Sequence, residues 1–127
     1  MPTDTLTMTA ATPQAITDAR HTLEAQLAAW ACGRTADSLL VFSELVTNAV
    51  RHAGCAQRIT IVHGDRTLRL EIHDHTRGIP AVAAVAGSAG GFGLRIVEQL
   101  SQTWGWTTTA TGKVVWADLE CCTHPRV

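Results

Sequence analysis

Polar and apolar residues change period several times along this chain, and each change marks a different element. Thr5-Leu-Thr-Met-Thr9 alternates singly, the pattern of a short edge strand. Thr12-Pro13 follows, a capping hydroxyl ahead of a proline suited to the first helical position. From Ala15 to Trp30 the residues Ile16, Ala19, Leu23, Leu27 and Trp30 fall at helical spacing, and Gly33 is placed to close that helix. A second helix is predicted after Thr35, with Leu39, Phe42, Val46, Ala49, Val50 and Ala53 along one stripe and Gly54 at its end.

Two β-branched or alternating runs come next, Arg58 to Val62 and Thr67 to His73, joined by Gly64-Asp65-Arg66 as a hairpin. Residues Thr76 to Gly91 are rich in Gly, Ala and Val and show no period, which predicts a mobile loop. A third helix is expected from Phe92 to about Thr103, with Leu94, Val97 and Leu100 inward. Trp104 to Thr111 and Val114 to Leu119 read as a closing hairpin around Thr111-Gly112-Lys113. The order β-α-α-β-β-α-β-β predicts an α+β fold with helices on one face of a mixed, mostly antiparallel sheet.

At 127 residues the chain is expected to form one domain, residues 1–127. An apolar share of 46% against 17% charged residues is that of a globular protein. A net charge of −1 leaves no electrostatic footprint for direct nucleic-acid binding. No run of apolar residues is long enough to span a membrane, and the first twelve residues lack the features of a secretory leader. Cys32, Cys55, Cys121 and Cys122 are too few and too irregular for a disulfide scaffold, so a cytoplasmic, reducing setting is expected.

Three groups of residues carry candidate chemistry. Glu44, Asn48 and His52 stand at i, i+4 and i+8 of the second helix, within about 80° of one another. They read either as a solvated face nearly opposite the apolar stripe or as a site. An amide oxygen suits Mg²⁺, and a carboxylate one turn away suits a general base. Asp74 follows a strand and precedes the loop: either a turn-starting residue or an acceptor for an exocyclic amine, with Gly78 leaving room for a flat ligand. Gly90-Gly91-Phe92-Gly93 opens into the third helix, so the N–H groups of Gly91, Gly93 and Leu94 are placed to meet phosphate. Arg95, in the first turn, either touches a terminal phosphate or is merely exposed. This is not a Walker loop, because no Gly-Lys-Ser/Thr follows a strand. A rival cluster of His63, His73, His75 and Asp74, with Cys121-Cys122-Thr-His124, matches no zinc spacing.

Taken in order, Glu44-x₃-Asn48-x₃-His52, Asp74-x₃-Gly78 and Gly91-x-Gly93-Leu94-x-Ile96-Val97 resemble the N, G1 and G2 boxes of the GHKL, or Bergerat-fold, ATPases. The likeness covers roughly residues 10 to 120. The short lid, Trp104-Gly-Trp and Val115-Trp-Ala-Asp-Leu look most like the bacterial anti-sigma-factor serine kinases. The resemblance implies a two-layer α/β sandwich with ATP between helices and sheet, Mg²⁺ on Asn48, adenine read by Asp74, and phosphates at Gly91 to Leu94. It further implies Glu44 as the base that activates a serine of a partner. Proteins of this kind bind a sigma factor, are reversed by a STAS-like antagonist that they phosphorylate, and commonly form homodimers.

Two departures stand out. Thr76 occupies the middle glycine position of the G1 box, and Lys113-Val114-Val115 stands where relatives often place a Thr or Ser near adenine. These motivate a second expectation, a non-catalytic regulatory module with a degenerate pocket. A metal-dependent hydrolase built on His73 and His75 is a third.

Overall fold

A computed structural model describes residues 4–10, 12–53, 56–64, 66–75 and 92–121; for residues 52, 53, 56, 57 and 92–94 it describes the backbone alone. The elements are β1 (Asp4–Ala10), α1 (Pro13–Ala29), α2 (Thr35–Ala53), β2 (Ala56–His63), β3 (Thr67–Asp74), α3 (Phe92–Leu100), β4 (Thr103–Thr108) and β5 (Lys113–Glu120). Every strand pairing is antiparallel, in the order β1-β2-β3-β5-β4. The sheet is therefore wholly antiparallel among the described strands, where the sequence predicted a mixed one. It is otherwise the expected α+β architecture. The stretch Thr76 to Gly91, read as a loop, lies outside the described residues.

Helix α1 starts as its sequence dictates. The Thr12 hydroxyl accepts from the Ala15 N–H at 3.1 Å, and Pro13 opens the first turn without a lost donor. Its C-terminus does not use Gly33. Ala31 takes the left-handed conformation (φ 57°), Ala31 N–H donates to Ala28 C=O, and Cys32 N–H donates to Leu27 C=O at 2.9 Å. This double closure satisfies two otherwise orphan carbonyls, although a side chain there is unfavourable.

Burial follows the pleat. Leu68, Leu70, Ile72 and Asp74 of β3 are buried, as are Lys113, Val115, Ala117 and Leu119 of β5, so these positions face the helices. Against them pack Leu23 and Leu27 of α1, Phe42 and Val46 of α2 and Val97 of α3. Helix α2 contacts β2, β3 and β5 and lies between α1 and α3, which contact β1 and β4 respectively. On the open face Arg69 lies 4.4 Å from the Trp116 ring centroid and bonds to Glu71 (2.8 Å) and Asp118 (2.9 Å). Burial alone would favour release of its proton, but the bond to Glu71 and the charge of Asp118 outweigh that and raise its pKa.

Cys32 and Cys121 meet in a pairing that the sequence reading did not foresee. They come together across 89 residues with their sulfurs in contact and Cα atoms 5.0 Å apart, inside the span of a disulfide. Gly33 N–H donates to Cys121 C=O at 2.7 Å, so the α1–α2 turn is tied to the end of β5.

Candidate functional site

Topology brings the described members of the three candidate groups toward one end of the sheet. Helix α2 ends two residues before β2 begins, so its C-terminal half runs toward that end of the sheet. There Arg58 of β2 lies opposite His73, and Asp74 at the end of β3 lies opposite Lys113 at the start of β5. At the other end α3 finishes at Leu100, and β4 begins at Thr103 opposite Asp118. Since β4 folds back under the helix after two residues, the first turn of α3 points toward the Lys113 end.

The best-defined feature at this end is an ion pair. Lys113 Nζ lies 3.1 Å from Asp74 Oδ1, and the two residues are only 6% and 3% exposed. Both occupy helix-facing positions of neighbouring strands. Desolvating two charges is costly, and a short charge-assisted hydrogen bond is what offsets it. Gly112 fixes the approach of the strands. A Cβ at that residue would run into the Asp74 carbonyl oxygen and stand 2.9 Å from the carbonyl carbons of Asp74 and His75. The turn before it is closed by Thr109 N–H donating to Gly112 C=O at 2.8 Å.

The pair forms part of the wall of a cavity of about 340 Å³, completed by Thr7, Thr9, Arg58, His73, Thr109 and Thr111. That volume falls at the small end of ligand sites. By pleat parity Thr7, Thr9, Arg58 and His73 lie on the open face of the sheet, so the cavity wraps the sheet's end.

Glu44 and Asn48 are half-buried on α2. Asn48 does not lie opposite the buried residues of α2. Ser38, Val41 and Leu45 are buried as well, because α2 packs against α3 in addition to the sheet. This widens the buried arc and brings its centre to about 100° from Asn48. Asn48 therefore sits on its flank, while Glu44, one turn earlier, lies about 140° from the centre, nearer the far side; both side chains are partly sheltered yet reachable. No ion pair among the described residues engages Glu44. Arg95 is exposed in the first turn of α3. Gly93 and Leu94 belong to that turn by backbone, and His52 to the last turn of α2. Gly78 and Gly91 lie outside the described residues.

The histidine cluster is dispersed. His63 stacks on Trp30 at 4.7 Å, at the opposite end of the β2–β3 hairpin from His73. His73 approaches Glu71 at 3.6 Å on the open face, and His75 lies exposed beyond the last residue of β3. Among the described residues no three His, Cys, Asp or Glu side chains gather as a metal group.

Sequence reading placed Lys113 in a turn, in the segment where relatives often carry a hydroxyl near adenine, and did not foresee that its side chain is buried against Asp74. The signal was present: Lys113, Val115, Ala117 and Leu119 alternate in one register, which puts the lysine on the core-facing side.

The donor set suits Mg²⁺ held together with phosphate. Such an ion keeps waters and phosphate oxygens and asks the protein for only one or two oxygen ligands. Asn48 offers a neutral oxygen, Glu44 stands one turn away, and the first-turn N–H groups of α3 suit an anion. Residues 9–119 match the family model of the histidine kinase-like ATPase domain. No curated protein sequence matches the chain. No helix among the described residues is long and apolar enough to cross a membrane.

Proposed function

Because the chain belongs to the histidine kinase-like ATPase domain family, we propose that it is an ATP-binding regulatory serine kinase of the anti-sigma type. The observation that carries this reading is the convergence of the α2 pair, the Asp74 strand end and the α3 N-terminus on one end of the sandwich. In this reading Asn48 holds Mg²⁺, which supplies charge neutralisation to the phosphates. Asp74 accepts from the adenine amino group, and the N–H groups of Gly91, Gly93 and Leu94 hold phosphate oxygens, with Arg95 and His52 at the rim. Glu44 takes the proton from a serine hydroxyl of a STAS-like antagonist as that oxygen bonds to the terminal phosphorus of ATP and the bond from that phosphorus to the bridging oxygen breaks, leaving phosphoserine and ADP. The other partner is a sigma factor, held until the antagonist competes for the protein.

Two substitutions test the assignment. Glu44→Ala should abolish phosphate transfer to a serine-bearing antagonist while nucleotide affinity stays within about threefold, a change worth less than 1 kcal/mol. Equal loss of both would remove the base role. Asn48→Ala should make nucleotide binding indifferent to Mg²⁺, and an unchanged Mg²⁺ response would exclude it as the ligand.

One observation favours a second reading, a non-catalytic regulatory module. The Lys113 ammonium already engages the carboxylate assigned to adenine. In that reading the pocket holds nucleotide weakly or not at all, and regulation works through the protein's surface. Radiolabelled serine phosphate on a candidate antagonist would exclude it.

A further inference from the structure

The open face of the sheet holds chemistry that the nucleotide reading does not use. We propose that its Arg58 end is a second, separate anion site. It takes a small polar phosphate monoester, with the phosphate on Arg58 and the organic body toward the β4–β5 turn. The site stands whether or not the chain binds ATP, because Arg58 points to the side of the sheet away from the helices.

Arg58 is exposed on β2, and no ion pair among the described residues engages it. The charges around it are matched elsewhere. Asp74 and Lys113 hold each other and further partners, so neither is asked for a bond here. Glu71 bonds to Arg69 at 2.8 Å. His73 flanks Arg58 in register, but its Nε2 is enclosed without a hydrogen-bond partner, 3.6 Å from Glu71. The ring is therefore a wall and is counted as no donor. With Asp74 and Lys113 cancelling, Arg58 gives the lining of the cavity its net positive charge.

The strand ladder slips beside this residue. Met8 pairs with Ile59 and Ala10 with Ala56, so Gln57 and Arg58 together stand against Thr9 alone. Bulges of this kind re-aim side chains and gather at sheet edges and functional sites. Thr7 and Thr9 line the cavity on the β1 side of Arg58, and Thr109 and Thr111 line it on the other. One small anion cannot reach both threonine pairs, because β2 and β5 lie two strand spacings, about 10 Å, apart.

A guanidinium presents a planar fork that meets two phosphate oxygens at once. The hydroxyls of Thr7 and Thr9 are donors for the oxygens that remain. A planar carboxylate would use the fork alone, whereas a tetrahedral phosphate uses fork and hydroxyls together. Toward β5 the hydroxyls of Thr109 and Thr111 donate or accept, which suits the hydroxyl or carbonyl groups of an organic body. A cavity of about 340 Å³ has room for that body beside the phosphate.

Calorimetric titration of the full chain with inorganic phosphate, glucose 6-phosphate, O-phosphoserine and glucose tests this. At least one monoester should bind about threefold or more tighter than inorganic phosphate, and glucose should not bind. The tighter of the two monoesters identifies the source as a sugar phosphate or a phosphorylated residue. Arg58→Ala should weaken every phosphate about tenfold or more, through loss of the bidentate bond. Joint Thr109→Val and Thr111→Val should erase the advantage of the monoester and leave inorganic phosphate within about twofold. The wild-type titrations need no variant, so a misfolded protein cannot shield the proposal. No binding of any phosphate to the wild type would overturn it. So would monoesters no tighter than inorganic phosphate, or phosphate binding that survives Arg58→Ala.

Discussion

Separating Asp74 from Lys113 one partner at a time should reveal how much of this fold depends on a polar contact. At 3.1 Å, with an effective dielectric of about 20, two unit charges attract by about 5 kcal/mol, most of it consumed by their desolvation. The pair as a whole is therefore nearly neutral for stability. Removing one member is not, because the other stays behind among Leu70, Ile72 and Val115 without the charge opposite it. Asp74→Ala and Lys113→Met should each cost about 3–5 kcal/mol, a large part of the roughly 5–15 kcal/mol that holds a domain together. The double variant should cost no more than the worse single one, a coupling of at least about 3 kcal/mol, at or above the upper limit usual for residues in contact. Urea unfolding followed by circular dichroism measures all four corners of the cycle, with a constant slope as the check on the unfolded state. Singles whose costs simply add in the double would refute the reasoning, since additivity means that neither charge responds to the other.

The remaining predictions concern other parts of the molecule. Ala31→Gly should stabilise the chain by about 0.5–1 kcal/mol by relieving the left-handed closure of α1, and a lowered urea midpoint would contradict that closure. Thr12→Ala should cost about 1 kcal/mol through loss of the cap on Ala15, read in the same assay; no change would mean that water replaces the hydroxyl. Gly112→Ala should loosen the β4–β5 turn and weaken nucleotide affinity together with stability, whereas a fully stable variant with unchanged affinity would show that the strand spacing has slack. Oxidation of the Cys32–Cys121 pair closes a loop of 89 residues, so chain entropy predicts up to about 4.6 kcal/mol of added stability over the thiol form. Identical midpoints with and without dithiothreitol, alongside a free-thiol count that changes, would set that aside.

Most of the fold was legible because its signals are local. The Thr12-Pro13 start, the stripe of α2 and the alternation of β2, β3 and β5 depend on periods that a short window reveals. The failures share a different origin. The closure of α1 at Ala31 overrode the glycine rule, because Cys32 and Gly33 are drawn onto the end of β5, a contact that no local pattern contains. The flank position of Asn48 depended on α3 packing beside α2, which widened the buried arc beyond the stripe visible in sequence. The engagement of Asp74 by Lys113 needed the knowledge that β5 lies beside β3 and not only beside its hairpin partner. Residue types were readable at the site, but their mutual distances were a property of the sheet order.

That sheet order also governs when the site comes into being. Strand β5 is the last in sequence of the five and the one inserted between β3 and β4, so the centre of the sheet stays open until it arrives. Its ladder with β3 joins residues from 39 apart, at Asp74 and Lys113, to 53 apart, at Thr67 and Glu120. Such distant pairings pay their loop-closure entropy before they return any contact, which makes folding slow for the chain's length. During synthesis the first three strands, α1 and α2 leave the ribosome while the inner edge of β3 is still bare. The Asp74–Lys113 end of the sheet is thus among the last surfaces to be made, and a ligand that needs both residues meets only chains whose folding has finished.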